Sequence, residues 1–260
     1  MKRRSINCTM HLVKCSLIFI LLLASSSYAL VAYYPFQGNA DDMSGNGHTG
    51  TVFGAVLTAD RFGNPNSAYS FDGSNDYILV PNAADLNITG SLTLAAWISS
   101  RDISRGGQDI ICKTQGGCYS LTLNEGSLSN PDGTFSFLLD VYGPYQSVSS
   151  NTKDSDDRWY HVAGVYNGTT AYIYVNGLLE NTIPLQGSLA VNSYPLTIGN
   201  ECVQLSEPFF GSIDDVRIYD SALSSSQIAG LAGVPEPGVF SVIVILFGVV
   251  RLYKKNPFVS

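Results

Sequence analysis

Between Leu30 and Ser221 a turn signal recurs about every ten residues, and short runs rich in Val, Ile, Tyr, Phe and Thr fill the gaps. A chain broken that often has no room for the long crossovers that parallel strands require, so the rhythm predicts an all-β, antiparallel two-sheet sandwich. The runs place strands at Val31 to Phe36, Ala68 to Phe71, Tyr77 to Val80, Leu92 to Ile98, Asp109 to Lys113 and Tyr119 to Leu123. Others follow at Thr134 to Val141, Tyr160 to Tyr166, Ala171 to Val175, Leu196 to Ile198 and Ile213 to Tyr219. Pro81 to Leu86 reads as a helical turn between strands. Asn167-Gly168 and Asn176-Gly177 supply the positive φ angles of tight hairpin turns, which makes a meander of the segment around them by local chemistry alone.

The closing run, Phe209 to Asp220, has period two with a slip in its phase: Val216 and Ile218 share a face, and Ile213 stands an odd number of positions away. A bulge at Asp214-Asp215 absorbs the slip and turns one of the two acids toward the sheet rim, where a carboxylate can hold a cation. Directly after it, Ser224 and Gln227 form a capping box, and Ile228 and Leu231 give the short helix a buried face.

Residues Gly211 to Leu231 resemble the closing strand and helix of laminin G-like jelly rolls in the concanavalin A-like lectin/glucanase superfamily. Three further segments match in order: Leu30 to Phe36 with the glycine-rich loop behind it, Tyr69-Ser70-Phe71-Asp72-Gly73 before Asp76-Tyr77-Ile78, and the run from Arg158-Trp159. The resemblance covers nearly all of residues 30 to 231 and implies a jelly roll with one short C-terminal helix.

The loop from Asn39 to His48 is dense in oxygen donors, with glycines that permit a tight wrap, a composition that suits calcium. By resemblance, this loop and the acidic closing strand lie together and hold one structural calcium, which nominates Asp42, Asn46, the His48 backbone carbonyl and Asp215. The same residues are also ordinary turn formers. Asp72, Asn75 and Asp76 read as a turn. Asp154, Asp156 and Asp157, beside Lys153 and Arg158, read as a solvated loop, and His161 as a hydrogen-bonded structural histidine.

The two ends stand apart from this domain. Lys2, Arg3, Arg4 and Lys14 precede an apolar run from Leu17 to Leu23, and Ser27-Tyr28-Ala29 offers small residues for cleavage, so residues 1–29 read as a secretory signal peptide. The laminin G-like domain takes residues 30–232. Residues 233–260 hold Pro235-Glu236-Pro237, an apolar run from Gly238 to Val250 and a basic end, which resembles the PEP-CTERM sorting signal. That resemblance implies export in a Gram-negative bacterium, an exosortase-type processing enzyme, and contact with the membrane through the C-terminal segment. Without residues 1–29 and 238–260, seven basic residues face twenty-one acids, a net charge of −14. Nucleic acid is excluded as a partner on that balance.

Cys8 and Cys15 leave with the signal peptide, so Cys112, Cys118 and Cys202 remain. Export favours a disulfide, and the odd count leaves one thiol over. Cys112 and Cys118 flank a turn at Gln115-Gly116-Gly117 that sets them diagonally; the pairing favoured is Cys118 with Cys202.

Glucanase members of the superfamily carry Glu-x-Asp-x-x-Glu, so that two carboxyl groups face one cleft. No such run occurs here: Glu125, Glu180, Glu201, Glu207 and Glu236 are widely separated. A non-enzymatic carbohydrate-binding or adhesion module of the envelope or matrix is therefore expected, with Tyr142, Tyr145 and Arg101 as candidate sugar contacts. A matrix protein without a small ligand, and a polysaccharide hydrolase or lyase, are the alternatives.

Overall fold

The computed structural model describes residues 30–114, 118–124, 132–141, 143 and 145–234. The expected leader at 1–29, the C-terminal segment from 235 onward and Tyr142 lie outside the described residues. The strands are β1 Leu30–Tyr34, β2 Thr51–Phe53, β3 Val56–Thr58, β4 Ala68–Asp72, β5 Tyr77–Val80, β6 Leu92–Ser100, β7 Gln108–Cys112 and β8 Tyr119–Leu123. They continue with β9 Thr134–Leu139, β10 Gln146–Lys153, β11 Tyr160–Tyr166, β12 Thr170–Val175, β13 Leu178–Pro184, β14 Leu196–Ile198 and β15 Phe210–Tyr219. A 3₁₀ turn at Ala84–Leu86 and helix α1, Ser225–Leu231, complete the described elements.

All pairings are antiparallel, in two sheets. The first runs β13-β12-β11-β6-β15-β4-β3, with β1 also paired to β15; the second runs β10-β9-β8-β7-β14-β5-β2. The architecture is the two-layer sandwich expected of a jelly roll. Alternate residues of each strand fill the space between the layers, among them Leu94, Ala96 and Ile98 of β6 and Leu121 and Leu123 of β8. Gly164 of β11 lets the layers approach closely, because a Cβ there would lie 2.3 Å from Phe137 Cγ in the opposing sheet.

The closing strand has the predicted irregularity. Its register against β6 shifts between Asp214 and Arg217, and Asp215 takes the left-handed conformation at φ 51°. Ile213, Val216 and Ile218 thereby all reach the core. β1 lies along β15, Leu30 opposite Tyr219 and Tyr34 opposite Val216, so the first and last strands close the sheet together. Helix α1 opens with the expected capping box at Ser224 and Gln227. With Leu223, its Ile228 covers Ala95, Ala163, Val165 and Tyr174 on the outer face of the first sheet.

Four strands are absent from the sequence reading: β2, β3, β10 and β13. β10 reads Gln-Ser-Val-Ser-Ser-Asn-Thr-Lys and has only an edge position to fill. Its free amides are closed by β13 on the other sheet, where Glu180 Oε2 accepts from the N–H groups of Asn151 and Thr152 at 2.8 Å each. Pro184 ends β13 at the other sheet's edge, where a missing donor costs no ladder bond.

Candidate functional site

The bulge in β15 puts Asp214 on the outer face of the first sheet, opposite Trp97 of β6, and turns Asp215 out beside it. Arg61, from the loop between β3 and β4, binds both acids: Nη1 to Asp214 Oδ2 at 2.7 Å and Nη2 to Asp215 Oδ2 at 2.9 Å. Its guanidinium carbon lies 4.5 Å from the ring centroids of both Phe62 and Trp97, so the cation is held between two aromatic rings. Arg217 Nη2 donates to Asp215 Oδ1 at 3.0 Å and stacks over Tyr33 at 4.2 Å, and the Tyr33 hydroxyl donates to the same oxygen at 2.8 Å.

Burial, and then the charge of Asp215, push the Asp214 carboxyl up to about 7 against the pull of Arg61. Burial likewise raises the Tyr33 phenol to about 12, which keeps it a proton donor. Behind Trp97, His161 of β11 packs at 5.4 Å between ring centroids. Burial, with the nearby Arg217 and Arg61, lowers its pKa to about 3. Among the described residues, both His161 ring nitrogens and Trp97 Nε1 are buried without a hydrogen-bond partner. His161 is thus a neutral core group, but not the hydrogen-bonded one expected.

Over this floor opens a pocket of about 540 Å³ lined by Arg61, Phe62, Trp97, Trp159, Asp215, Arg217 and the Gly230–Gly233 turn that ends α1. Phe62 is 73% exposed, and Trp97 and Trp159 are half-buried. Flat apolar faces beside fixed charged edges are the lining that orients a small polar ligand.

The sequence matches the Laminin_G_3 family, of the concanavalin A-like lectin/glucanases superfamily, over residues 72–229, more than half of its length. The chain belongs to this superfamily. No curated protein matches it. Among solved structures, the laminin G-like domain is similar to the binding domain of Paraclostridial Mosquitocidal Protein 1, with a TM-score of 0.65 and 18% identity, over 78% of this chain and 52% of that one. Domain 4 of AbnA, a GH43 extracellular arabinanase from Geobacillus stearothermophilus, solved in complex with arabinotriose, matches with a TM-score of 0.64 and 19% identity, over 79% of this chain and 98% of that one. The binding domain of botulinum neurotoxin serotype D matches with a TM-score of 0.58 and 18% identity, over 79% and 51%. The chain therefore spans about half the length of these toxin domains and nearly all of the arabinanase domain, and at such identities the likeness shows the fold.

In this laminin G-like frame the four nominated calcium ligands do not form one shell. The Tyr33 N–H donates to Asp42 Oδ1 at 3.0 Å while its hydroxyl donates to Asp215, so the length of a tyrosine separates the two carboxylates. A calcium ligand must come within about 2.6 Å of the ion. Asp42 also accepts from the Ser44 N–H and hydroxyl and from the His48 N–H, which fills its lone pairs and lowers its pKa despite partial burial. The His48 carbonyl accepts from the Tyr34 hydroxyl at 2.7 Å, and Asn46 Nδ2 donates to the Leu30 and Val31 carbonyls at 2.9 Å each. As placed, this donor set does not fit calcium: the loop is tied by hydrogen bonds, and the cation on Asp215 is a guanidinium.

Arg101 lies over Phe210 at 5.7 Å and Tyr145 is exposed; neither lines the pocket. Asp72 and Asp76 form the expected turn, with the Ser74 N–H bonded to Asp72 and the Asp72 N–H to Asp76. Asp154 departs from the expected solvated loop. It is buried against the Ser100 hydroxyl, and desolvation raises its carboxyl to about 6. Cys118 packs in the core between the sheets, whereas Cys112, opposite Thr197, and Cys202 both lie against Thr114, so the favoured pairing of Cys118 with Cys202 is not brought together.

Sequence reasoning missed Arg61, Phe62 and Trp97 and treated Trp159 only as a family marker. A signal was present. Two acids at a predicted bulge need a counter-charge, and only seven basic residues remain outside the two ends.

Proposed function

We propose that the protein is an exported, non-enzymatic carbohydrate-binding or adhesion module that seats a sugar in the outer-face pocket. The observation that carries this reading is that both tryptophans of the chain line a single pocket, with Phe62 exposed at its mouth. Sugar rings stack on such faces, and the guanidinium edge of Arg217 offers donors to hydroxyl groups. The arabinanase domain captured with arabinotriose, matched over 98% of its length, supports a glycan as the ligand class. The signal-peptide pattern of residues 1–29 and the Pro235-Glu236-Pro237 segment support export, exosortase processing and retention at a Gram-negative envelope, with a polysaccharide or matrix component as partner.

A hydrolase reading has one observation in its favour, since Asp214, raised to about 7 beside a second carboxyl group at Asp215, is the pattern of an acid and its partner. Against it, both carboxylates bind the same guanidinium, which occupies the space a scissile bond needs between them.

Affinity electrophoresis through gels containing arabinan or other polysaccharides tests the proposal. At least one polysaccharide should retard the protein, and Trp159→Ala should weaken the retardation about tenfold, a loss of about 1.4 kcal/mol. Absence of retardation in every gel favours a matrix protein without a small ligand, and equal retardation of the variant moves the site elsewhere.

A further inference from the structure

Thr197 of β14 stands opposite Cys112 of β7 and donates from Oγ1 to the Asn200 carbonyl at 2.7 Å, which starts a loop back over the outer face of the second sheet. Glu201 shapes that loop by accepting from the N–H groups of Val203 and Leu205, each at 2.9 Å, and from that of Gln204. Cys202 is thereby delivered to Thr114, its Sγ donating to the Thr114 carbonyl at 3.2 Å, while Cys112 Sγ lies 3.3 Å from Thr114 Oγ1. Both thiols therefore lie against the same residue, Thr114, and both cysteines are buried. Cys118 takes a positive φ of 84° and packs instead into the core between the sheets.

We propose that Cys112 and Cys202 form a disulfide in the exported protein, fastening the loop after β14 to β7 and leaving Cys118 as a free, core thiol. The bond forms by exchange with an external disulfide, carried by a protein or a small molecule. One cysteine thiolate attacks that disulfide and releases a thiolate; the second cysteine resolves the mixed disulfide and releases the other. Two electrons and two protons pass to the oxidant, which leaves as a dithiol or two thiols. The neighbouring Cys202 and burial push the Cys112 thiol well above its ordinary range, so thiolate is scarce once the loop has closed. Oxidation therefore belongs to folding, before the loop covers the strand.

Only the cellular source of the oxidant rests on the proposed export. Trypsin cleaves after Arg105, Lys113, Lys153, Arg158 and Arg217, and so places Cys112, Cys118 and Cys202 in the separate peptides 106–113, 114–153 and 159–217, with Cys8 and Cys15 in two others. The full chain, unfolded and refolded with oxidised glutathione, is alkylated and digested without reductant. The expected product is 106–113 joined to 159–217, absent from Cys112→Ser and Cys202→Ser and retained in Cys118→Ser. The oxidised protein should also unfold at a higher temperature than the same protein with dithiothreitol. A link from 114–153 to either other peptide as the main product, or Cys112, Cys118 and Cys202 all alkylated after refolding with oxidant, overturns the proposal. If the link forms in vitro but protein taken from cells is fully reduced, the export reading fails and the pairing stands.

Discussion

Arg61 binds two carboxyl groups at once and is itself clamped between two rings, so its removal leaves the buried Asp214 facing the half-buried Asp215 without that cation. Breaking a buried ion pair on one side costs about 3 kcal/mol, and Arg61→Ala should lose that much at pH 7 in chemical denaturation. The loss should shrink at pH 5, because Asp214, freed of its cation, then holds a proton and no longer needs one. In the native chain Asp214 at about 7 lies above the 3.8 of a free aspartate, so the folded state binds its proton more tightly. Its contribution to stability falls as pH rises from about 4 to about 7. His161 acts in the opposite sense. Its pKa drops from 6.5 to about 3, so the unfolded chain takes up the proton first and stability is lost as pH falls below 6.5. His161→Phe removes two unpartnered nitrogens as well, and should raise stability by about 1 kcal/mol at pH 7 and flatten the decline toward acid in urea titrations. None of this was legible as a partnership. Asp214 and Asp215 announced themselves by position, but their partner lies more than 150 residues earlier, in a loop whose letters mark only a turn.

At the scale of elements, local chemistry was readable wherever it was self-contained. The phase slip in β15 gave the bulge because Ile213 and Val216 must both reach the core, and Ser224 with Gln227 gave the start of α1 because both halves of the cap lie within one turn. Ser224→Ala should cost about 1 kcal/mol of thermal stability, with the fold unchanged by circular dichroism. β10 and β13 were not readable, since their polar edges are satisfied by each other across the two sheets and neither carries an apolar alternation. Gly164 shows the same dependence on a distant partner. Nothing near it demands a glycine, yet Phe137 occupies the place of its Cβ, and Gly164→Ala should cost about 2 kcal/mol through overpacking of the two sheets.

Across the whole molecule, the joined first and last strands close the first sheet and leave an outer face that α1 covers only in part. The pocket opens on that face beside the end of the helix. The seam is held by Tyr33, Asp42, Asp215 and two arginines, so calcium and a chelator should give the same midpoint of thermal unfolding; a higher midpoint with calcium would mean that the loop rearranges around the ion. The fold was legible because four weak motifs occur in the right order. The site was not, because its residues come from five separated stretches that only the fold brings together. Because Trp97 and Trp159 are the only tryptophans in the chain, intrinsic tryptophan emission reports on this pocket alone. The decisive measurement is a titration of that emission with a polysaccharide that retards the protein in gels. A saturable change in intensity or wavelength, smaller in Trp159→Phe, is the predicted result; retardation in the gel with emission unmoved through the whole titration would contradict the account.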